Sequence, residues 1–450
     1  MAAPAAPAWS SALADAIRAG DRDATLAAGL RAVEARAPHL EVARAGALAY
    51  ASSVDVSPEY PPHGFLALSA AVRLARHLPP NLAPLPVLQA LTLAAADGKL
   101  PASEHRRRTA VAGEISHLTR SFEYAVRTGA FGDAVSIFSG LLREGRERVM
   151  AGDVLFRVAA EDMVMAGHKL IYAVKGWQLA SALGWRAGDV VMGPAVARVA
   201  TRIQDPTAFR TLMAAWGRAK VDLAAVGGNA GPAEGAERAA IREALRATTP
   251  DACAAGVVLA LKRGVALDAI AGVAVEEAAD RVAGLGSHDL VPVHGLIFAD
   301  LARWVLAFSR TESRVYPLLQ ACLLLQSQSA FPALRPEARS SGHGDLRTIA
   351  GAMEAGRARE AGEAVHGYVA LGADRPRFLE LLAVQACRDD PSVTMGHNLI
   401  LADAAIQEAT AHPASASPAL VALAHALALS PRARGNWAVL ERRFPPATAS

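Results

Sequence analysis

The chain has 450 residues, enough to bury a large core and to divide into two or more domains. Its composition is 52% hydrophobic but only 5% aromatic, and alanine and leucine fill most apolar positions, so the residues point to an all-α fold. The formal net charge is +3, with arginines interleaved with acids as in REGRER and not clustered with aromatics, which argues against a nucleic-acid surface.

The first residues, MAAPAAPAWSSALADAIRAGD, lack a basic region followed by an unbroken apolar run and do not read as a signal peptide. The three cysteines, Cys253, Cys322 and Cys387, lie far apart in apolar stretches, with no Cys-x-x-Cys pair. Neither a disulfide framework nor a thiolate metal site is expected, and a cytoplasmic location is. The segment LIFADLARWVLAFSR carries Asp300 and Arg303 within a membrane's width and reads as a buried core helix, so no membrane association is expected.

In chain order, the segments repeat. LADAIRAGDRDATLAAGL near residue 13 matches REALRATTPDACAAGVVL near residue 242, pairing Asp23 with Asp251. HGFLALSAAVRLA at His63 matches HGLIFADLARWVLA at His294, and PVLQALTL at Pro86 matches PLLQACLL at Pro317. AVRTGAFGDAVSIFSG at Ala125 matches AMEAGRAREAGEAVHG at Ala352. GHKLIYAVKGWQLA then matches GHNLILADAAIQEA, and GPAVARVA matches SPALVALA. Six blocks in one order, all within offsets of 224 to 231, establish an internal duplication, with loop insertions accounting for the drift.

A Gly/Pro stretch without helical periodicity marks the seam. The first half is placed at 8–226, the linker at 227–235 and the second half at 236–445. Within HGFLALSAAVRLARHL, Phe65, Leu66, Leu68, Val72, Leu74 and Ala75 form a broad apolar face, leaving Arg73 and Arg76 outside. Turns such as AADGKLPASE separate such segments, so each half is expected to stack roughly seven or eight helices, the two packing about a pseudo-twofold axis.

Thirteen histidines are present. His39, His77, His105, His412 and His425 sit in polar or turn contexts and are expected to be solvated. Four others form two matching pairs: His63 with His168, and His294 with His397, each beside a glycine and each opening an apolar helix. A helix N-terminus disfavours imidazolium, and the neutral ring is the metal-binding form. The adjacent glycine leaves room for a second backbone or a ligand. If the halves pack symmetrically, the four rings converge on a site suited to iron, copper, zinc or nickel.

Each such histidine, taken singly, also fits a capped core position. Additional ligands or supporting groups are sought in His117 and His343, which match at offset 226, and in Glu161, Asp162 and Asp390, with Asp389 beside it, ahead of His168 and His397. Helix-terminal charge is the simpler reading of those acids. Trp177, Trp304 and Tyr172 follow key histidines on the same segments and are candidates for a flat substrate pocket, or plain core. Two Glu-x-x-His motifs, Glu114 to His117 and Glu363 to His366, raise a di-iron carboxylate alternative. No G-x-S-x-G, Walker A, strand-following G-x-G-x-x-G or His-Glu-x-x-His motif occurs.

HGFLALSAAVRLA, HGLIFADLARWVLA and MGHNLILADAAIQEA resemble the helices of the questin oxidase-like family. The resemblance implies a non-haem iron oxygenase acting on an anthraquinone-like or related polyketide, with dioxygen as co-substrate and NADPH as a candidate reductant. It implies His63, His168, His294 and His397 as the metal ligands, and a small aromatic substrate in a monomer or homodimer. The chain departs from the family's pattern at Asp403-Ala404, where a Thr-Glu-Ala run is expected, so the acidic group of that last helix stays unassigned. The alternative from another class is a non-catalytic helical-repeat scaffold, which predicts histidines dispersed through the core.

Overall fold

A computed structural model describes residues 7–101, 109–144, 148–202, 204–334, 345–372, 374–389, 391–413, 416–432 and 436–444. The protein is all-α. Among the described residues there is no strand, only isolated bridges such as Val54 with Lys99.

Counting helices of eight or more described residues, the first half runs α1 (Ala8–Ala19), α2 (Arg22–Glu34), α3 (His39–Ser53), α4 (Gly64–Leu74), α5 (Pro84–Ala96), α6 (Ile115–Arg127), α7 (Phe131–Glu144), α8 (Arg148–Ala159), α9 (Val164–Ala182), α10 (Gly188–Val199) and α11 (Thr207–Ala219). The second runs α12 (Gly235–Leu245), α13 (Pro250–Lys262), α14 (Leu267–Ala283), α15 (Leu290–Phe308), α16 (Val315–Ser327), α17 (Leu346–Glu354), α18 (Ala358–Ala370), α19 (Arg375–Ala386), α20 (His397–Ala411), α21 (Ser417–Leu429) and α22 (Asn436–Arg443). That is eleven per half, more than the seven or eight expected. Short polar turns such as Gly20-Asp21, with Asp21 capping α2, divide helices that alanine-rich periodicity alone runs together.

The pairing scheme of the first eleven helices recurs in the second. α1 packs on α2 and α3, as α12 does on α13 and α14; α4 packs on α5 and α9, as α15 does on α16 and α20. α10 lies against α3, α7 and α9, and α21 against α14, α18 and α20. Between the halves, α4 meets α20 and α15 meets α9. Two glutamines reach across in matching fashion: Gln89 of α5 donates to Asp389 at 3.1 Å, and Gln320 of α16 donates to the Ala160 carbonyl at 2.7 Å. Both targets lie in the turns that lead into α20 and α9. The buried apolar side chains along the described chain form one continuous core.

At its centre are α4, α9, α15 and α20, packed as a ring in the order α4, α9, α15, α20. Each carries a histidine near its N-terminus, and each contributes to a second polar layer six to eleven residues further on. That common order means the four helices run parallel. In the second layer the Asp403 carboxylate accepts from Arg73 at 2.8 Å and Lys175 at 2.5 Å, while Gln407 donates to Asp300 at 3.2 Å. Arg73 is therefore drawn inward to an ion pair across the halves, not left outside as expected from its helical face. α15 is the one described helix long and apolar enough to cross a membrane, and it is mostly buried inside the protein.

Candidate metal centre

The residues just ahead of the central helices fix where the histidines enter. His63 is the N-cap of α4, with Pro61 and Pro62 before it. His168 follows three consecutive left-handed residues, Met165, Ala166 and Gly167, and His397 follows two, Met395 and Gly396. A left-handed turn of that kind breaks the preceding helical path, so a new helix opens at the histidine. His294 differs from the expectation: it lies one turn inside α15, which begins at Leu290.

The neighbouring glycines answer to close packing. A Cβ on Gly64 would strike the backbone of Ala94 on α5, and one on Gly167 would strike the Phe298 ring. One on Gly396 would lie 2.6 Å from Leu93 and 2.9 Å from Ala67. The room they leave is taken by neighbouring helices, not by a ligand.

The four imidazoles converge. One ring nitrogen from each of His63, His168, His294 and His397 lies within 4.8 Å of all the others, and every ring is buried. His63 Nε2 is 3.1 Å from His168 Nε2, and His397 Nε2 is 2.9 Å from His294 Nε2. A four-coordinate metal at about 2.0–2.1 Å from each nitrogen sets adjacent nitrogens about 3 Å apart, which these two contacts match, while the wider separations, up to 4.8 Å, would close slightly around an ion.

The other face of each ring is held by main chain. His294 Nδ1 donates to the Leu290 carbonyl at 2.7 Å and His397 Nδ1 to the Thr394 carbonyl at 2.7 Å. His168 Nδ1 donates to the Met165 carbonyl, and His63 bonds the Pro61 carbonyl. With Nδ1 carrying the proton, Nε2 presents a lone pair. For His168, His294 and His397 that leaves three Nε2 lone pairs turned to the centre beside the His63 ring, an arrangement that suits a cation.

Electrostatics keep the rings neutral. Burial, followed by the nearby His294, pushes His63 down to about 3. Burial is also the first cause that lowers His168, His294 and His397, the first and last of them well below the usual histidine range. Neutral imidazole is what a metal requires.

Several groups brace the centre. Arg198, fully buried on α10, donates to the carbonyls of Val56 (3.2 Å), Pro58 (2.5 Å) and Glu59 (2.9 Å), fixing the loop ahead of His63. The Tyr172 hydroxyl donates to the Pro62 carbonyl and its ring stacks on Phe65 at 5.8 Å, so this candidate pocket residue supports the His63 turn. Asp97 accepts from the Gly64 amide at 2.8 Å and the Tyr50 hydroxyl at 2.7 Å.

Asp162 is a turn anchor. It accepts from the amides of Val164 and Asp205 and pairs with Lys169 at 2.7 Å, beside His168. Glu161 pairs with Arg127 at 2.6 Å on the outside. Asp389 accepts from Gln89 and Thr394. None of these acids belongs to the metal-capable group, nor does His117, which is exposed on α6. His343 and Asp390 lie outside the described residues.

Trp177 and Trp304 sit nine and ten residues beyond their histidines, about 13–15 Å along a helix. They join Phe156, Trp185 and Phe308 in an aromatic cluster, with Trp304 and Phe308 stacked at 5.0 Å and Trp177 edge-on to Phe156 at 5.8 Å. That cluster packs the far ends of α9 and α15. The Glu-x-x-His motifs are not brought together: Glu363 pairs with Arg359, and His366 bonds Ser417. Among the described residues the four histidines are the one group of three or more side chains able to hold a metal. His425 corrects another expectation, being buried with Nε2 on the Leu285 carbonyl at 2.7 Å.

The second polar layer, with Arg198 and Asp97, escaped the sequence reading. Its signal was a charged or amide residue six to eleven positions after each key histidine. No family model, curated protein or solved structure matches the chain.

Proposed function

We propose that the protein is a metal-dependent oxygenase, with iron held by His63, His168, His294 and His397 and an aromatic, polyketide-type compound as substrate. The convergence of four neutral Nε2 atoms carries the metal reading. The resemblance of the three histidine-bearing segments to the questin oxidase-like family supports the oxygenase chemistry and the substrate class, and the recurring helix pairings support two halves derived by duplication. Bound iron would supply a position for dioxygen. The chain's own part is to hold the imidazoles in one tautomer through main-chain carbonyls and to keep them dry and unprotonated. Neither alternative accounts for this geometry. A scaffold predicts dispersed histidines, and a di-iron protein needs carboxylates that are absent from the group.

Elemental analysis of protein purified without a histidine tag, beside the double variant His63→Ala, His294→Ala, tests the proposal. About one iron per chain, lost in the variant, together with oxygen uptake on adding an anthraquinone with or without NADPH, is the expected result. One zinc per chain with no oxygen uptake would make the site a structural clamp. No metal in either protein would end the metal reading.

A further inference from the structure

Three of the chain's six tryptophans, Trp177, Trp185 and Trp304, gather at the far ends of the helices that carry His168 and His294. Trp177 lies edge-on to Trp185, with ring centroids 4.7 Å apart, and edge-on to Phe156 at 5.8 Å. Phe156 meets Trp304 at 5.9 Å, and Phe308 lies 5.4 Å from Trp177 and stacks on Trp304 at 5.0 Å. The rings form one connected set, running from the buried Trp177 to the partly exposed Trp185 and Trp304.

Packing alone does not call for this set. The matching positions of the repeat hold Ile406 in place of Trp177 and Arg73 in place of Trp304. Trp185 is brought in at a cost, since its φ of +61° is left-handed backbone that a bulky residue avoids. Two glycines make room. A Cβ on Gly188 would lie 2.7 Å from the Trp185 ring, and one on Gly152 2.9 Å from Phe308 and 3.2 Å from Trp177. The set is also tied to the centre. Trp177 and Trp304 stand about 13–15 Å along their helices from His168 and His294, and α9 is buried without a break from Gly167 to Ala180.

We infer that Trp177, Trp304 and Trp185 form a one-electron relay that carries oxidising equivalents of the peroxide class from the four-histidine centre to the surface, sparing the buried imidazoles. The inference rests on the metal reading above. Reduction of one peroxide to two waters takes two electrons and two protons. One electron is drawn from ferrous iron, leaving it ferric, and the other from Trp177 or Trp304, leaving an indole radical cation that Trp185 refills. The Arg148 guanidinium, 5.0 Å over the Trp185 ring, disfavours a positive radical there, so the indole proton leaves to water. That proton and one more from water complete the reduction. A small reductant such as ascorbate then returns an electron and a proton to Trp185.

The test uses the full chain loaded with about one iron per chain, mixed with hydrogen peroxide and frozen for electron paramagnetic resonance. An organic radical is expected, its signal narrowed when the protein carries ring-deuterated tryptophan and unchanged when it carries ring-deuterated tyrosine. This comparison needs no substitution, so it stands even if a variant fails to fold. Trp185→Phe should slow the loss of the radical on adding ascorbate. In the double variant Trp177→Phe, Trp304→Phe the radical should be lost, and peptide mass spectra should show oxygen added to the four histidines, with release of iron, where the parent carries it on Trp185. Iron-loaded protein that gives no tryptophan radical, or histidines oxidised equally in parent and double variant, would overturn the relay while leaving the metal reading intact. Failure of the parent to bind iron or any other divalent metal would remove the metal reading itself, and this inference with it.

Discussion

His63 and His168 of the first half and His294 and His397 of the second each have a glycine alongside and a main-chain carbonyl as partner, and all but His294, which lies one turn inside its helix, follow a turn ahead of the helix. Six to eleven residues further along the same helices the halves part company. The first half presents Arg73 and Lys175, and the second presents Asp300, Asp403 and Glu408, with Arg303 as its one cation. The four central helices thus present the same side chain where the imidazoles meet, and charges of opposite sign where the first two face the last two. A second half facing a copy of itself would set carboxylates against carboxylates, and a first half would set Lys175 against Lys175. The charged layer thus specifies pairing of unlike halves, which the histidine layer alone would not.

The largest effect is expected from breaking that opposition. Asp403 is buried between Lys175 and Arg73, and Asp403→Ala leaves both cations without it. Removing one partner of a buried pair costs about 3–5 kcal/mol, so chemical denaturation should show a loss of that order. The double variant Lys175→Met, Asp403→Leu removes charge from both sides and should cost less than Asp403→Ala alone. A loss under about 1 kcal/mol in Asp403→Ala would mean that packing, not charge, selects the pairing.

The likeness can be sharpened at the turns. Gly396 has φ +77° and its Cβ would press on Leu93 and Ala67, while Gly167 has φ +78° and faces Phe298. Gly396→Ala and Gly167→Ala should each cost about 1–3 kcal/mol, because both force a left-handed backbone on alanine as well as a clash. Each should also weaken metal binding, since the histidine follows directly; stability curves and a metal-competition titration check both. Unequal costs would show that the two turns, alike in backbone, are supported differently by their surroundings.

Much of this organisation was legible in the residues. The all-α class and the four converging histidines rest on local pattern and on matches between segments, which sequence preserves directly. The second layer was not legible, because Arg73 and Asp403 are 330 positions apart and only the parallel set of central helices makes them neighbours. Arg73 reads as outward-facing on its own helix for the same reason: periodicity reports which face is polar, not what a polar face meets. Trp177 and Trp304 follow the histidines on the right helices, but their spacing carries them to the far ends. His294 was misplaced by one turn because Asp289, whose side chain caps the Val291 amide, starts α15 earlier than Pro292 suggests.

A smaller, pH-dependent effect is expected at Asp300. Burial pushes its carboxyl well above the usual range; Glu408 and Asp403 push it further, and Lys175 opposes them. The protonated form is favoured in the folded protein, so its contribution is whole below about pH 4, where the unfolded side chain is also protonated, and is lost as pH rises through the raised native value. Asp300→Asn keeps a neutral side chain at every pH. It should match the parent near pH 4 and exceed it by about 1–2 kcal/mol at pH 8, as measured by denaturation at the two values. A gap that does not widen with pH would place a charged Asp300 in the layer.

The smallest effect separates the buried layer from the outer contacts that also join the halves. α11 crosses onto α13 and α16 of the second half, where Arg218 pairs with Asp251 at 3.2 Å. At the other end of the chain Arg443 of α22 reaches Glu34 of α2 at 3.8 Å. All four side chains are about half exposed or more, so water and salt screen both pairs and the long arginines lose rotamer freedom in making them. Arg218→Ala and Arg443→Ala should each change stability by less than about 0.5 kcal/mol, with the difference shrinking further in high salt. Against the loss expected from Asp403→Ala, that contrast would assign recognition between the halves to the four central helices; a loss of several kcal/mol from either arginine would move it to the crossing helices.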